Sequence, residues 1–103
     1  MKLFHYWRSS CSWRVRWALL HKGLTFNTQA INLLKGEHKS PEFLTKNPLG
    51  FVPVLELNDG TALTESWAIL EWIEENHPTP ALLPKDPLLR QRCRALALSL
   101  IHI

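Results

Sequence analysis

Cysteine is scarce: Cys11 and Cys93 are the two thiols in 103 residues. Two thiols in unrelated sequence surroundings build no disulfide framework, and no Cys/His spacing suits a zinc site. No apolar run approaches the roughly 20 residues of a membrane-spanning helix. The N-terminus, where Lys2 leads into a short strand-like run and then Arg8, lacks the pattern of a secretory signal peptide. Basic blocks are missing too. The formal net charge of +3 comes from dispersed lysines and arginines, which argues against a nucleic-acid footprint and leaves a mild preference for small anions. No internal repeat and no low-complexity segment interrupts the chain. These absences imply a reducing, cytoplasmic setting with no metal and no membrane or nucleic-acid partner.

What is present is core material. Apolar residues make up 46% of the chain, enough for one small domain. The five tryptophans are dense for this length, and several are expected to be buried or to sit at an interface. The five histidines are scattered and read as surface or structural residues.

Lys2 to Tyr6 reads as a strand and Trp7 to Ser10 as a polar turn. Cys11 to Lys22 has helical spacing: Cys11, Val15, Ala18 and Leu19 share one face, while Trp13, Trp17 and Leu20 share an adjacent one. Gly23 is placed to end that helix as its C′ residue. Phe26 to Leu33 reads as a second strand, so the order implies a right-handed βαβ unit with parallel strands. Ser40-Pro41-Glu42 starts a short helix that Asn47-Pro48 stops. Val52 to Leu57 is a strand entered through proline. Asn58-Asp59-Gly60 is its hairpin turn, and Thr61 to Leu63 pairs back antiparallel. A helix opens at Thr64 or Glu65 and runs to about Asn76. After a proline-rich linker from His77 to Lys85, Asp86-Pro87 caps a last helix predicted to reach Ile103. Its apolar residues, among them Leu96, Leu98, Leu100 and Ile101, occur around much of its circumference, unlike a single exposed helix. The expectation is an α/β domain with a mixed sheet and helices on both faces, in the thioredoxin-like order βαβ-α-ββα.

Three features carry chemistry in this topology. Ser9-Ser10-Cys11 lies where a helix N-terminus meets the carboxyl end of a parallel strand. Free N–H groups and the helix dipole there favour an anion such as a thiolate. The same run equally admits a serine N-cap beside a small buried cysteine. Val52-Pro53 is a candidate cis bond whose neighbouring backbone is free to pair with a peptide-like ligand, or else an ordinary edge proline. At Glu65-Ser66 a hydroxyl and backbone N–H groups suit a carboxylate while Glu65 suits an ammonium; simple capping is the alternative. Joint weight comes from the topology, which sends all three to one rim of one sheet.

The run Ser9-Ser10-Cys11-Ser12-Trp13-Arg14-Val15-Arg16 resembles the N-terminal motif of zeta-class glutathione transferases, the maleylacetoacetate isomerase family. The likeness continues through Ile31 to Lys35, Asn47-Pro48, Val52-Pro53, Glu65-Ser66, Ala68-Ile69, Pro78 to Pro80 and Leu82 to Pro84. It implies glutathione as cofactor. By that resemblance Ser9 and Ser10 polarise its sulfur and Cys11 lines the site as an auxiliary catalytic residue. Val52, beside cis Pro53, pairs with the cysteinyl backbone; Glu65 and Ser66 hold the γ-glutamyl end, and His38 stands near the glycyl end. The family often has Gln where this chain has Glu65.

The implied activity is cis–trans isomerisation of a maleylacetoacetate-type diacid, a step of tyrosine and phenylalanine catabolism, in a homodimer. Arg8 and Arg14 suit a dianionic substrate but read more simply as surface or structural charges. The resemblance also implies two parts. Residues 1–80 form the glutathione-binding domain, and 81–103 are a linker and the first helix of an all-helical domain that supplies most of the second-substrate pocket. Two other readings stand beside it: a glutathione-binding module without turnover, and a glutaredoxin-like monothiol protein using Cys11. The second cysteine of a C-x-x-C pair is absent from Cys11-Ser12-Trp13-Arg14, which disfavours dithiol chemistry.

Overall fold

A computed structural model describes residues 1–99. Strand β1 (Lys2–His5) is followed by helix α1 (Ser10–His21) and strand β2 (Asn27–Ala30). Two single 3-10 turns, Leu33–Lys35 and Glu37–Lys39, precede the short helix α2 (Pro41–Lys46). The hairpin β3 (Val54–Glu56) and β4 (Ala62–Thr64) leads into α3 (Ser66–Asn76), and α4 (Pro87–Ser99) comes last. The sheet has four strands in the order β2-β1-β3-β4. β1 and β2 are parallel, while β3 is antiparallel to both β1 and β4.

Alternation along β1 and β3 divides the core in two. Leu3 and Leu55, paired across the strands, point to the face covered by α1 and α3, where Val15, Leu19, Ile69 and Ile73 are fully buried with them. Phe4 and Val54 point the other way, onto Ile31 and Phe43. There the Phe4 and Phe43 rings meet edge to face, 6.2 Å between centroids. Each fully buried aliphatic side chain contributes about 1.5–3 kcal/mol, so this two-sided packing sets the register of the central strands.

Helix ends follow the local chemistry. At Lys22 the backbone closes a Schellman motif: Leu24 N–H donates to the Leu19 carbonyl and Gly23 N–H to that of Leu20. Gly23 takes φ 70°, the left-handed position that glycine fills without steric cost. Ser40 caps α2 through the Phe43 N–H at 3.2 Å, with Pro41 in the first turn. The expected second strand is longer than the one observed. Asn32 leaves the sheet because its side-chain oxygen accepts from the N–H groups of Leu34 and Lys35, which starts a 3-10 turn instead.

No tryptophan is buried among the described residues: Trp7, Trp13 and Trp17 are exposed, and Trp67 and Trp72 are half-buried. Trp13 and Trp17 stack edge to face on the outer side of α1, and Arg16 lies over the Trp13 ring. None of the described residues of α4 is buried. An Arg94–Glu71 ion pair ties this helix to α3, with Arg94 Nε 2.9 Å from the carboxylate. Leu100 and Ile101, expected on the same helix, lie outside the described residues. No described helix is long and apolar enough to cross a membrane.

A charged pair is buried where α1, α3 and the linker meet. The Lys22 ammonium, fully enclosed, lies 2.5 Å from Glu74 Oε1. The same carboxylate accepts from the N–H groups of Leu82 and Leu83. Burial by itself would raise the Glu74 pKa. The Lys22 hydrogen bond, the two backbone N–H groups and the Lys22 charge outweigh it and hold the carboxyl below its ordinary value.

Candidate functional site

One line of sheet register gathers the candidate residues. Phe4 pairs with Val54, and Val54 with Thr64, so the end of β1, the start of β3 and the end of β4 emerge side by side. The chain then continues as the Trp7–Ser9 turn from β1 and as Glu65-Ser66 from β4, while Val52-Pro53 feeds β3. β2 leaves at the same rim, because it is parallel to β1 and His5 pairs with Ala30. It runs on to the turn that carries His38.

Ser9 is the N-cap of α1, with extended backbone and the Ser12 N–H donating to its Oγ at 3.1 Å. Accepting that bond leaves its own hydroxyl proton free to be given away. Ser10 opens the helix and is exposed, and its hydroxyl has no hydrogen bond among the described residues. Cys11 is half-buried, with a free thiol. A serine caps the helix, while Cys11 is half-buried rather than buried, and the Ser10 hydroxyl and the thiol stay available beside the cap.

Ser12 was not singled out by the sequence. It is completely buried, and its Oγ accepts from the Tyr6 N–H at 3.3 Å. That bond fastens the turn between β1 and α1, where a polar residue on a buried helix face was the only visible signal. His5, at the end of β1, is pushed below its ordinary 6.5 by burial first and by the Arg16 guanidinium second. The ring is therefore neutral at pH 7, and the fixed positive charge near it belongs to Arg16, whose Nη1 lies 3.3 Å from His5 Nδ1.

The Val52–Pro53 peptide is cis. Pro53 is buried and Val52 half-buried. Ladder pairing begins only at Val54, and the N–H and C=O of Val52 have no hydrogen bond among the described residues. The loop that delivers Val52 is held by buried Asn47: its Oδ1 accepts from Leu49 N–H, and its Nδ2 donates to the Phe51 carbonyl. Asn47-Pro48 was read as a helix stop and as part of the family resemblance, although an asparagine two residues before a turn donor is also an Asx-turn signal. Gly50 takes φ 73°, and a Cβ there would come 3.1 Å from the His38 carbonyl oxygen. This close approach sets His38 against the Val52 loop. The His38 Nδ1 is buried without a hydrogen-bond partner, which is costly unless something else satisfies it.

Helix α3 begins differently from the others. Ser9, Ser40 and Asp86 each cap their helices with a side-chain oxygen, whereas the Glu65 side chain makes no such bond. The first intrahelical bond of α3 runs from Ile69 N–H to the Glu65 carbonyl, so the N–H groups of Ser66, Trp67 and Ala68 are unpaired within the helix. Glu65 itself sits at φ 68°, ψ 112° and is the sole non-glycine residue with positive φ among those described. Such backbone costs of order 1–3 kcal/mol and clusters at ligand clamps. Ser66 is buried, and Arg14 Nη1 donates to its Oγ at 3.5 Å. Arg14 thereby joins the first and third features, a contact the sequence did not reveal. Arg8 lies on the exposed turn with its guanidinium over Trp7.

An apolar concavity lies elsewhere. A space of about 500 Å3 opens between α1, α3, the linker and α4, lined by residues including Trp17, Trp67, Leu70, Leu82 and Cys93. The rim that carries Ser9, Val52 and Glu65 is rich in polar groups. It presents a hydroxyl pair and a thiol at one end, a free peptide group in the middle, and helix N–H groups beside a carboxylate at the other. Among the described residues, no cluster of His, Cys, Asp and Glu is arranged to hold a metal ion.

Residues 8–76 match the family described as glutathione S-transferase, N-terminal domain. The maleylacetoacetate isomerase of Pseudomonas aeruginosa is 48% identical over 99 residues, covering 94% of this chain and 47% of that protein. A solved holo structure of maleyl pyruvate isomerase, a bacterial zeta-class glutathione S-transferase, aligns with TM-score 0.90 at 48% identity. The alignment covers 94% of this chain and 45% of that one. The maleylacetoacetate isomerase of Methylobacterium extorquens AM1, solved with bound malonate and GSH, aligns with TM-score 0.91 at 42% identity, over 94% and 45%. The chain spans about half the length of the relatives it matches.

Proposed function

The chain belongs to the family of glutathione S-transferase N-terminal domains and has their thioredoxin-like fold, and we propose that it is the glutathione-holding part of a zeta-like cis–trans isomerase. The observation that carries the proposal is the Phe4–Val54–Thr64 register, which aligns three groups of unsatisfied polar atoms along one rim. Their chemistry fits glutathione in order. Hydroxyls of Ser9 and Ser10 at a helix N-terminus suit a thiolate. The free backbone of Val52 suits the cysteinyl peptide unit. The uncapped N–H groups of α3 and the Ser66 hydroxyl suit the γ-glutamyl carboxylate, and Glu65 suits the ammonium. The unpartnered Nδ1 of His38 fits the glycyl end.

When bound, glutathione would supply a thiolate able to add reversibly to the cis double bond of a maleyl-type diacid and so permit rotation before it is expelled unchanged. The chain's own residues prepare this chemistry. Ser9 accepts from the Ser12 N–H, which leaves its own proton free to be donated to sulfur. Ser10 offers a second donor from the first turn of α1. Cys11, half-buried with a free thiol, lines the wall next to them as an auxiliary catalytic residue. Residues 1–80 form the cofactor domain, and 81–103 are the linker and first helix of a helical domain completing the diacid pocket. The natural assembly is a cytoplasmic homodimer.

Calorimetric titration of the 103-residue chain with glutathione tests the reading, followed by spectrophotometric titration of the bound thiol. Saturable binding with a thiol pKa below that of free glutathione is expected. Absence of binding, or an unshifted thiol, overturns thiolate activation at this rim. An isomerase assay on maleylacetoacetate, with and without a helical domain appended, then separates turnover from binding alone. Retention of glutathione–disulfide exchange in Cys11→Ser would dispose of the monothiol alternative.

A further inference from the structure

Asn47 lies outside the three-point grip, yet it governs how one part of the grip is presented. It is 3% exposed, and both ends of its carboxamide are committed to a single loop. Oδ1 accepts from the Leu49 N–H at 3.1 Å, and Nδ2 donates to the Phe51 carbonyl at 2.9 Å. The Gly50 N–H returns to the Asn47 carbonyl at 2.9 Å, so the loop closes on this one residue. The neighbouring apolar side chains do not anchor it: Leu49 is 68% exposed and Phe51 63%. The bonded carbonyl matters because of the peptide it belongs to. Phe51 C=O and Val52 N–H are the two ends of one planar trans unit, and in such a unit they point in opposite directions. Holding the oxygen on Asn47 therefore turns the Val52 N–H away from the buried carboxamide. That N–H has no hydrogen bond among the described residues. The Val52 C=O belongs to the next peptide, which Asn47 does not touch.

From this geometry we infer that Asn47 is a positioning residue for the cysteinyl part of the ligand, acting through the Phe51–Val52 peptide. It presets the direction of the one donor that Val52 offers, so a cysteinyl carbonyl meets an N–H already aimed and the loop needs no further ordering on binding. The inference rests on the glutathione reading above and deepens it. The two polar groups of Val52 have separate supports: Asn47 orients the N–H, and the Val52–Pro53 peptide carries the C=O. A change at Asn47 is therefore felt by one ligand atom, the cysteinyl carbonyl oxygen, and leaves the thiol and the γ-glutamyl group to their own partners.

The test compares glutathione with an isostere in which an E-alkene replaces the cysteinyl–glycine amide. The thiol, the γ-glutamyl group and the glycyl carboxylate remain, and the cysteinyl carbonyl oxygen is gone. Calorimetry is run on wild type, Asn47→Asp and Asn47→Ser. Both variants keep an oxygen for the Leu49 N–H. The carboxylate has no proton to give to the Phe51 carbonyl, and the serine hydroxyl is one atom too short to reach it. Wild type is expected to prefer glutathione by about fivefold, the worth of one neutral hydrogen bond. Each variant should bring that preference toward unity by weakening glutathione about fivefold, while binding the isostere as wild type does. Equal weakening toward both ligands, or a preference kept at its wild-type value, overturns the assignment and leaves Asn47 a scaffold residue. A wild type that binds both ligands alike removes the Val52 N–H from the grip, and the assignment with it. Failure of wild type to bind glutathione at all removes the underlying reading as well, so the failures are told apart. Should Asn47→Asp, which introduces a buried charge, not fold by circular dichroism, the Asn47→Ser selectivity decides alone.

Discussion

Replacing Glu74 with Gln changes one atom type in the middle of the buried Lys22–Glu74 pair. The amide oxygen of Gln can still accept from the Leu82 and Leu83 N–H groups, so the linker keeps its anchor. What disappears is the charge facing the Lys22 ammonium, which is fully enclosed while Glu74 remains 13% exposed. Breaking one side of a buried pair typically costs 3–5 kcal/mol. The partial exposure of Glu74 argues for the lower end, about 3 kcal/mol. For a domain of this length that corresponds to a fall in Tm of about 12–24 °C. Lys22→Met alone leaves a carboxylate with two backbone donors and some water, at a cost of about 1–2 kcal/mol. The double variant should cost about 2–3 kcal/mol, less than the sum of the two single losses, with a coupling of about 2 kcal/mol.

Acid adds an internal control to the same experiment. The Glu74 carboxyl lies below its ordinary 4.5 in the folded protein. Its stabilisation is therefore complete above 4.5 and is lost as pH falls through the lower folded value. The gap between wild type and Glu74→Gln should be full at pH 7 and shrink steadily once the pH drops below 4.5. Urea unfolding followed by far-ultraviolet circular dichroism gives both quantities. A loss under about 1 kcal/mol, or a gap that stays constant into acid, would refute the account of this pair as a desolvated, charge-dependent clamp.

Two further substitutions probe the rim. Glu65→Gly relieves the strained φ of 68° and should stabilise the fold by about 1 kcal/mol after the entropy cost of glycine, while weakening glutathione binding; Tm and calorimetry read the two effects, and a destabilised variant would contradict the strain. Ser12→Ala leaves the Tyr6 N–H buried without its acceptor and should cost about 1–3 kcal/mol in urea unfolding; a neutral result would mean the turn is held by other contacts.

Local chemistry was legible, and long-range pairing was not. Gly23, Ser40-Pro41 and Asp59-Gly60 announce their turns because each acts within a few residues, and the structure places those turns there. The convergence of Ser9, Val52 and Glu65 followed from topology, which strand order alone constrains tightly. The extent of β2 was overread because Asn32 diverts the chain with a side-chain bond that competes with the ladder. The partners of Ser12, Asn47 and Arg14 escaped notice for a related reason. Each is a polar residue whose partner is decided by packing, and nothing in a helical or strand period marks it. The tryptophans mislead in the opposite sense, since their size suggests burial while Trp13 and Trp17 stand on the outer side of α1.

The shared register of Phe4, Val54 and Thr64 has a bearing on how the rim comes into being. Its parts arrive from segments near residues 10, 50 and 65; the β3–β4 hairpin brings the last two together, and the first joins them only when β1 pairs with β3. Both pairings must form before all three can cooperate, so a ligand gripping all three would report the integrity of the β1–β3–β4 part of the sheet. Such a site is an all-or-none gauge: a slip of one residue in β3 would turn Val52 to the opposite face and erase recognition while leaving every helix intact.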